Sequence, residues 1–324
     1  MSTTSSVEPP ERSLASSPEP RPPFPNTPFA DIILRSSDGE EYRLCKATLA
    51  QASSVFADMF SLPQPDDASG VADEQKDGLP VLPLSEPAHQ LDVLLRFCIP
   101  QMPPTLDDLA TTVSVLEGAR KYQIEWALDT ARAALVRLAD EEPLRVYAIA
   151  CRYDLKDEAR EATRRCLRVP MTSLIGAKVE ELEGINAETF QRLLAYRQAC
   201  ASTVVDHISS ASWAWINTGG WVWYHRCCGY SDDWVSRLNL AGTTVSCRKW
   251  WDDYMKDVVE KLRDCTWEGA LSSCDAMAFF LRGNSCEGCR AVVAEHISQC
   301  RQTMKAEIVA AISSCSYIFV SDLQ

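Results

Sequence analysis

The chain has 324 residues, of which 46% are apolar and 24% charged, and its formal net charge is −13 at pH 7. That length supports more than one hydrophobic core, and the composition is that of a globular protein. The acidic balance excludes a purely electrostatic grip on nucleic acid or on an anionic membrane, and no apolar run approaches the ~20 residues of a spanning helix.

The first residues, Met1 to Ser13, have no basic start and no hydrophobic segment, so they do not read as a secretory signal. No asparagine opens an N-x-S/T acceptor site. The 14 cysteines are therefore expected in a reducing intracellular compartment, cytoplasmic or nuclear, as buried thiols, metal ligands or reactive thiols. Cys45, Cys98, Cys151 and Cys166 are spread out, whereas the others crowd between Cys200 and Cys315.

Residues 1–28 are rich in Ser, Pro and Glu and read as a disordered leader. Ala30 to Leu34 reads as a strand, Ser37-Asp38-Gly39-Glu40 as a hairpin turn, and Glu41 to Cys45 as the returning strand. Ser53-Ser54 caps a helix with Val55, Phe56, Met59 and Phe60 on one face. Pro63 to Gly78 has no periodicity and reads as a loop. Leu79 to Leu84 is extended, and its prolines place it at a sheet edge. Ala88 to Cys98 is helical, and four more helices follow, started near Asp107, Ile124, Pro143 and Leu155. A further helix over 186–201 puts Phe190, Leu193, Leu194 and Arg197 in register.

Four pieces of this pattern carry a resemblance: Ala30-Asp31-Ile32-Ile33-Leu34; Tyr42 to Ala50 with Ser53-Ser54-Val55-Phe56 and Met59-Phe60; Leu94 to Pro100; and Leu116 to Tyr122 with Ile124 and Leu128. In this order and spacing they resemble the BTB/POZ fold. The wider pattern, continuing into Glu142 to Ala150, looks like the BTB-domain proteins of mushroom-forming fungi. The resemblance implies an interaction fold without catalytic chemistry, whose members self-associate, bind co-regulators or bridge cullin-type ubiquitin ligases to substrates. It implies partner-binding roles for Asp31, Cys45 and Lys46, although Asp31 fits a strand-end hydrogen bond equally well. The family commonly has His where Cys45 stands, and the helix that its dimeric members place before the first strand has no counterpart in the proline-rich residues 18–28.

The last third differs in composition. Trp213, Trp215, Trp221, Trp223, Trp234, Trp250, Trp251 and Trp267 fall within it and read as a compact core. Two pairs with a two-residue gap, His225-x-x-Cys228 and Cys286-x-x-Cys289, match the way two turns assemble a tetrahedral site. Structural Zn²⁺ is the expected ion, held by His225, Cys228, Cys286 and Cys289, with Cys227 as the alternative to His225. Ordinary buried thiols are the competing reading. Cys200, Cys247, Cys265, Cys274, Cys300 and Cys315 lie at helix-like positions and read as core.

The expected architecture is α+β: a leader (1–28), a BTB/POZ domain with a small sheet flanked by helices (29–140), a helical extension (141–200) and a Cys/Trp-rich, mainly helical C-terminal domain (201–324). The expected function is protein–protein interaction as an adaptor or scaffold, with a cullin or a second copy as partner and no enzymatic step. A transcriptional co-regulator with a zinc-stabilised C-terminal domain is the alternative, followed by an enzyme with a Cys/His site there.

Overall fold

The computed structural model describes residues 29–62, 74–209, 220–224, 234–238, 244–283 and 286–320. The leader, Trp213, Trp215, His225, Cys227 and Cys228 lie outside them. The chain divides into two compact units: one takes the described residues up to Leu106 together with Ala110–Ala131, the other Asp107–Leu109 and the described residues from Arg132 onward.

The first unit is built on a four-stranded sheet of order β2-β1-β4-β3. β1 (Ile32–Arg35) and β2 (Glu41–Leu44) pair antiparallel with Leu34 opposite Tyr42. Gly39, at φ 95°, supplies the left-handed position that the turn between them needs. Ile32, Ile33 and Leu34 are all buried, as in a strand covered on both faces. β3 (Gln75–Lys76) and β4 (Leu79–Pro83) form a second hairpin, turned by Asp77 and Gly78, both at positive φ. This corrects the end of the loop expected from Pro63 to Gly78, most of which, residues 63–73, lies outside the described residues. It also moves the proline-bearing strand inward, because β4 lies parallel to β1 on its other side, with Ile33 opposite Val81. Within it, Pro80 stands opposite Gln75 of β3 and Pro83 opposite Arg35 of β1.

Five helices enclose this sheet's core: α1 (Lys46–Ala52), α2 (Ser54–Ser61), α3 (Ala88–Leu95), α4 (Leu109–Tyr122) and the first part of α5 (Glu125–Leu138). Ser53 caps α2 as expected, its Oγ accepting the Phe56 N–H at 3.1 Å. Leu49, Phe56, Leu91, Leu94, Leu116 and Ile124 are fully buried. Gly118 of α4 lets that helix approach α3: a Cβ there would lie 2.7 Å from Leu94 Cδ2.

The second unit is mostly helical, with α6 (Pro143–Arg152), α7 (Lys156–Cys166), α8 (Met171–Gly176), α9 (Ala187–Ser209), α10 (Lys249–Asp264), α11 (Ala276–Gly283) and α12 (Glu287–Val320). Pro143 stands in the first turn of α6, where its missing N–H costs nothing. A hairpin absent from the expectation, β5 (Trp234–Leu238) with β6 (Thr244–Arg248), interrupts the helices. Cys247 therefore sits in a strand, Cys265 caps the C-terminus of α10, and Cys274 follows a 3-10 turn (Glu268–Ser273), which corrects the helix-like placement of all three. Among the described residues no helix is long and apolar enough to cross a membrane.

Candidate functional site

Strand pairing brings together the three N-terminal residues singled out in the sequence. The register sets Ile32 opposite Leu44, so Asp31 and Cys45 are the next residues outward, and the Asp31 N–H donates to the Leu44 carbonyl at 3.1 Å. Cys45 is the N-cap residue of α1, but its thiol makes no capping bond. Asp31 supplies that bond from the neighbouring strand: its Oδ1 accepts the Lys46 backbone N–H at 2.7 Å. A carboxylate is well placed there, since the first N–H groups of a helix carry partial positive charge. The Lys46 ammonium lies 5.8 Å from the centre of the Phe60 ring. Asp31 is exposed, and Cys45 and Lys46 are half-buried. The result is a charged rim beside an apolar ring, an arrangement suited to recognition.

The same unit holds a polar anchor that the sequence did not reveal. Glu86 is 7% exposed and accepts from the Tyr122 hydroxyl at 2.6 Å and from the Lys121 ammonium. Burial pushes its carboxyl upward, but the bonds from Lys121 and Tyr122 outweigh burial and hold it below the usual carboxylate range. Tyr122 also stacks on Phe56, with ring centres 4.9 Å apart, and its carbonyl accepts from the Ser53 hydroxyl. α2, α4 and the chain before α3 are thereby fastened together.

The same unit exposes several large apolar side chains: Phe29, Leu62, Met102 and Trp126. Trp126 is held on one side by Phe97, ring centres 4.7 Å apart, and is otherwise 40% exposed. A tryptophan positioned in this way loses little freedom on meeting a partner.

In the second unit, Cys286 and Cys289 sit at the start of α12. The Arg290 N–H donates to the Cys286 carbonyl, so Cys286 is the residue just before the helix, and Cys289 follows on the same face. Cys286 is half-buried and Cys289 buried. Among the described residues no group of three metal-ligating side chains converges. Upstream of His225, the Val222 N–H donates to His296 Nδ1 at 3.2 Å, which ties Trp221–Tyr224 to α12. Trp223, Trp250 and Trp251 form a core, as expected, with Trp221 and Trp267 partly buried against it and Trp234 half-buried: Trp223 is fully buried, lies flat on Trp251 with ring centres 3.9 Å apart, and meets Trp250 edge-on.

Arg197 of α9, in register as expected, is 2% exposed. Its Nη2 donates to the Asp264 carbonyl at 2.9 Å, while Nε and Nη1 have no acceptor.

No curated protein matches the chain. Residues 23–138 match the family model of the BTB/POZ domain. That span contains the sheet, the helices around it and the Asp31–Lys46 rim, so the N-terminal part of this chain is a BTB/POZ domain, a protein-interaction fold.

Proposed function

We propose that the protein is an adaptor: its BTB/POZ unit docks a scaffold, a cullin-type ligase subunit or a second copy, while the Cys/Trp-rich unit selects a target. The BTB/POZ match over residues 23–138 carries this reading. Support comes from a surface that offers recognition groups. Trp126 is an exposed anchor steadied by Phe97, and Asp31 and Lys46 form a charged rim at the start of α1. Titrating the full chain into a purified cullin N-terminal region by calorimetry, with its mass followed by light scattering, tests the proposal. A defined complex or a stable dimer is expected, weakened tenfold or more by Lys46→Glu at unchanged melting temperature. A monomer that binds no cullin overturns the bridging role.

A structural Zn²⁺ in the second unit is proposed with it. Cys286 and Cys289 share a helix face, and thiolates at this spacing suit a tetrahedral ion. His296, to which Val222 is bonded, lies two turns beyond Cys289, about 10 Å along the axis. Cys228 is four residues past Tyr224, a reach of up to about 14 Å, so covalent geometry permits the two pairs to meet. Metal analysis of the full chain purified under reduction should find one zinc, lost in Cys286→Ser/Cys289→Ser. A folded, metal-free protein removes the site.

A further inference from the structure

Cys200 of α9 and Cys315 of α12 belong to one small buried cluster with Leu167 and Tyr196. Cys200 is fully buried and Cys315 is 4% exposed. The two side chains are packed together in this cluster, and the Cys315 thiol donates to the Ala311 carbonyl at 3.4 Å. We propose that Cys200 and Cys315 are a redox-closable pair, which a hydroperoxide converts to a disulfide joining α9 to α12.

The chemistry balances as two thiols and one peroxide giving one disulfide and two waters. The thiolate of Cys200 attacks one oxygen of hydrogen peroxide, the O–O bond breaks, and hydroxide leaves and takes up the proton released by that thiol. Cys315 then attacks the Cys200 sulfenic sulfur. The S–O bond breaks, and the Cys315 proton departs with the hydroxyl as the second water. The two sulfurs together lose two electrons, and the peroxide gains them. Closing the bond to about 2.05 Å requires the side chains to approach within this cluster and asks for no new pairing of elements, because α9 already packs on α12.

Two features select the oxidant and set the rate. The burial that keeps a tripeptide disulfide out admits a small neutral peroxide. Burial pushes the Cys200 thiol up to about 12, with Cys315 beside it acting in the same direction and Tyr196 and the Arg197 guanidinium against it, so the reaction is slow at neutral pH. The product closes a loop of about 115 residues that holds β5, β6, α10 and α11. Oxidation therefore reports on, and fixes, both ends of the Trp-rich core.

The test is a tryptic map of the full chain after exposure to hydrogen peroxide and alkylation of the remaining thiols. Cleavage after Arg197, Arg226 and Lys305 puts Cys200 alone in the peptide 198–226 and Cys315 alone in 306–324, so this pair gives a unique cross-linked mass. That mass should dominate, disappear on reduction, and accompany a rise in melting temperature that Cys315→Ser abolishes and Cys166→Ser leaves in place. Peptides recovered unlinked, whether as free thiols or as over-oxidised acids, or Cys200 linked elsewhere, would overturn the pairing. The map of the unmutated chain decides this even if a variant fails to fold.

Discussion

The hydroxyl of Tyr122 donates to a carboxylate oxygen of Glu86 at 2.6 Å, across a gap of 36 residues in sequence and almost out of reach of solvent. The bond joins the end of α4 to the segment before α3, and Lys121 adds its ammonium to the same carboxylate. A buried carboxylate held in this way is stabilising only while it is ionised.

The first prediction follows from that charge. The folded-state pKa of Glu86 lies below its unfolded value, so its contribution is fully present above the ordinary Glu pKa, about 4.3, and is lost as pH falls through the folded value. Tyr122→Phe keeps the stack on Phe56 but removes the hydroxyl, and it should cost about 1.5–3 kcal/mol at pH 7, the range for hydrogen bonds to charged groups. Urea unfolding of the wild type and of Glu86→Gln should differ at neutral pH, and the difference should shrink as pH falls below the ordinary Glu pKa of about 4.3 and vanish only below the folded value. A difference that grows on acidification would contradict the assignment.

Gly118 carries the second prediction, and its sign is unusual. Exchanging glycine for alanine inside a helix ordinarily gains about 1 kcal/mol. Here the new methyl would meet Leu94 Cδ2 at 2.7 Å, and Leu94 is fully buried. Gly118→Ala should therefore destabilise the BTB/POZ unit by about 1–3 kcal/mol, as overpacked cores do. The double variant with Leu94→Val should recover part of that loss. Equal stability of Gly118→Ala and wild type by denaturant midpoint would show that the α3–α4 contact is looser than described.

Asp31 gives the third. Its carboxylate does for α1 what a serine at position 45 would otherwise do, since the Cys45 thiol is a poor acceptor. Asp31→Ala should lower stability by about 1 kcal/mol through loss of the cap, and Asp31→Asn by only a few tenths. Partner affinity separates this structural role from a recognition role. If Asn restores stability without restoring binding, the carboxylate charge itself meets the partner.

Which of these relationships could be read beforehand follows from what kind of signal each one leaves. Asp31, Cys45 and Lys46 were legible through the resemblance to the BTB/POZ fold, and the hairpin with its Asp38-Gly39 turn is what physically brings them together. The same turn signal at Asp77-Gly78 was missed because only Gln75-Lys76 precede it, too short a run to show alternation. Cys247 was placed on a helix because strand and helix periods cannot be told apart over the five residues of β6. Glu86 left no trace at all: it stands between Ser85 and Pro87, outside any periodic segment, and its partners lie more than thirty residues away. The position of Arg197 on the inward face of α9 was visible from its spacing. That the guanidinium would stay buried with a single acceptor was not, because that depends on the far end of α10.

Arg197 yields the last prediction. The guanidinium keeps its proton at any accessible pH, so burial costs it solvation that one carbonyl, Asp264 O, returns only in part. Burial lowers its pKa, while Cys166, Cys265, Asp264 and Cys200 pull the other way. Removing the charge while keeping the length should then cost little. Arg197→Met gives up one hydrogen bond, relieves two unpaired N–H groups and retains the packing of the chain's stem, so its stability should fall within about 1 kcal/mol of wild type or above it. Arg197→Ala removes the stem as well and should cost about 2–5 kcal/mol, the range for cavities left by large side chains. The contrast between the two variants is the informative quantity. If both lose several kcal/mol in urea, the guanidinium is a net anchor between α9 and the end of α10. If only alanine does, the arginine holds its place by packing, and its charge serves the neighbouring thiols.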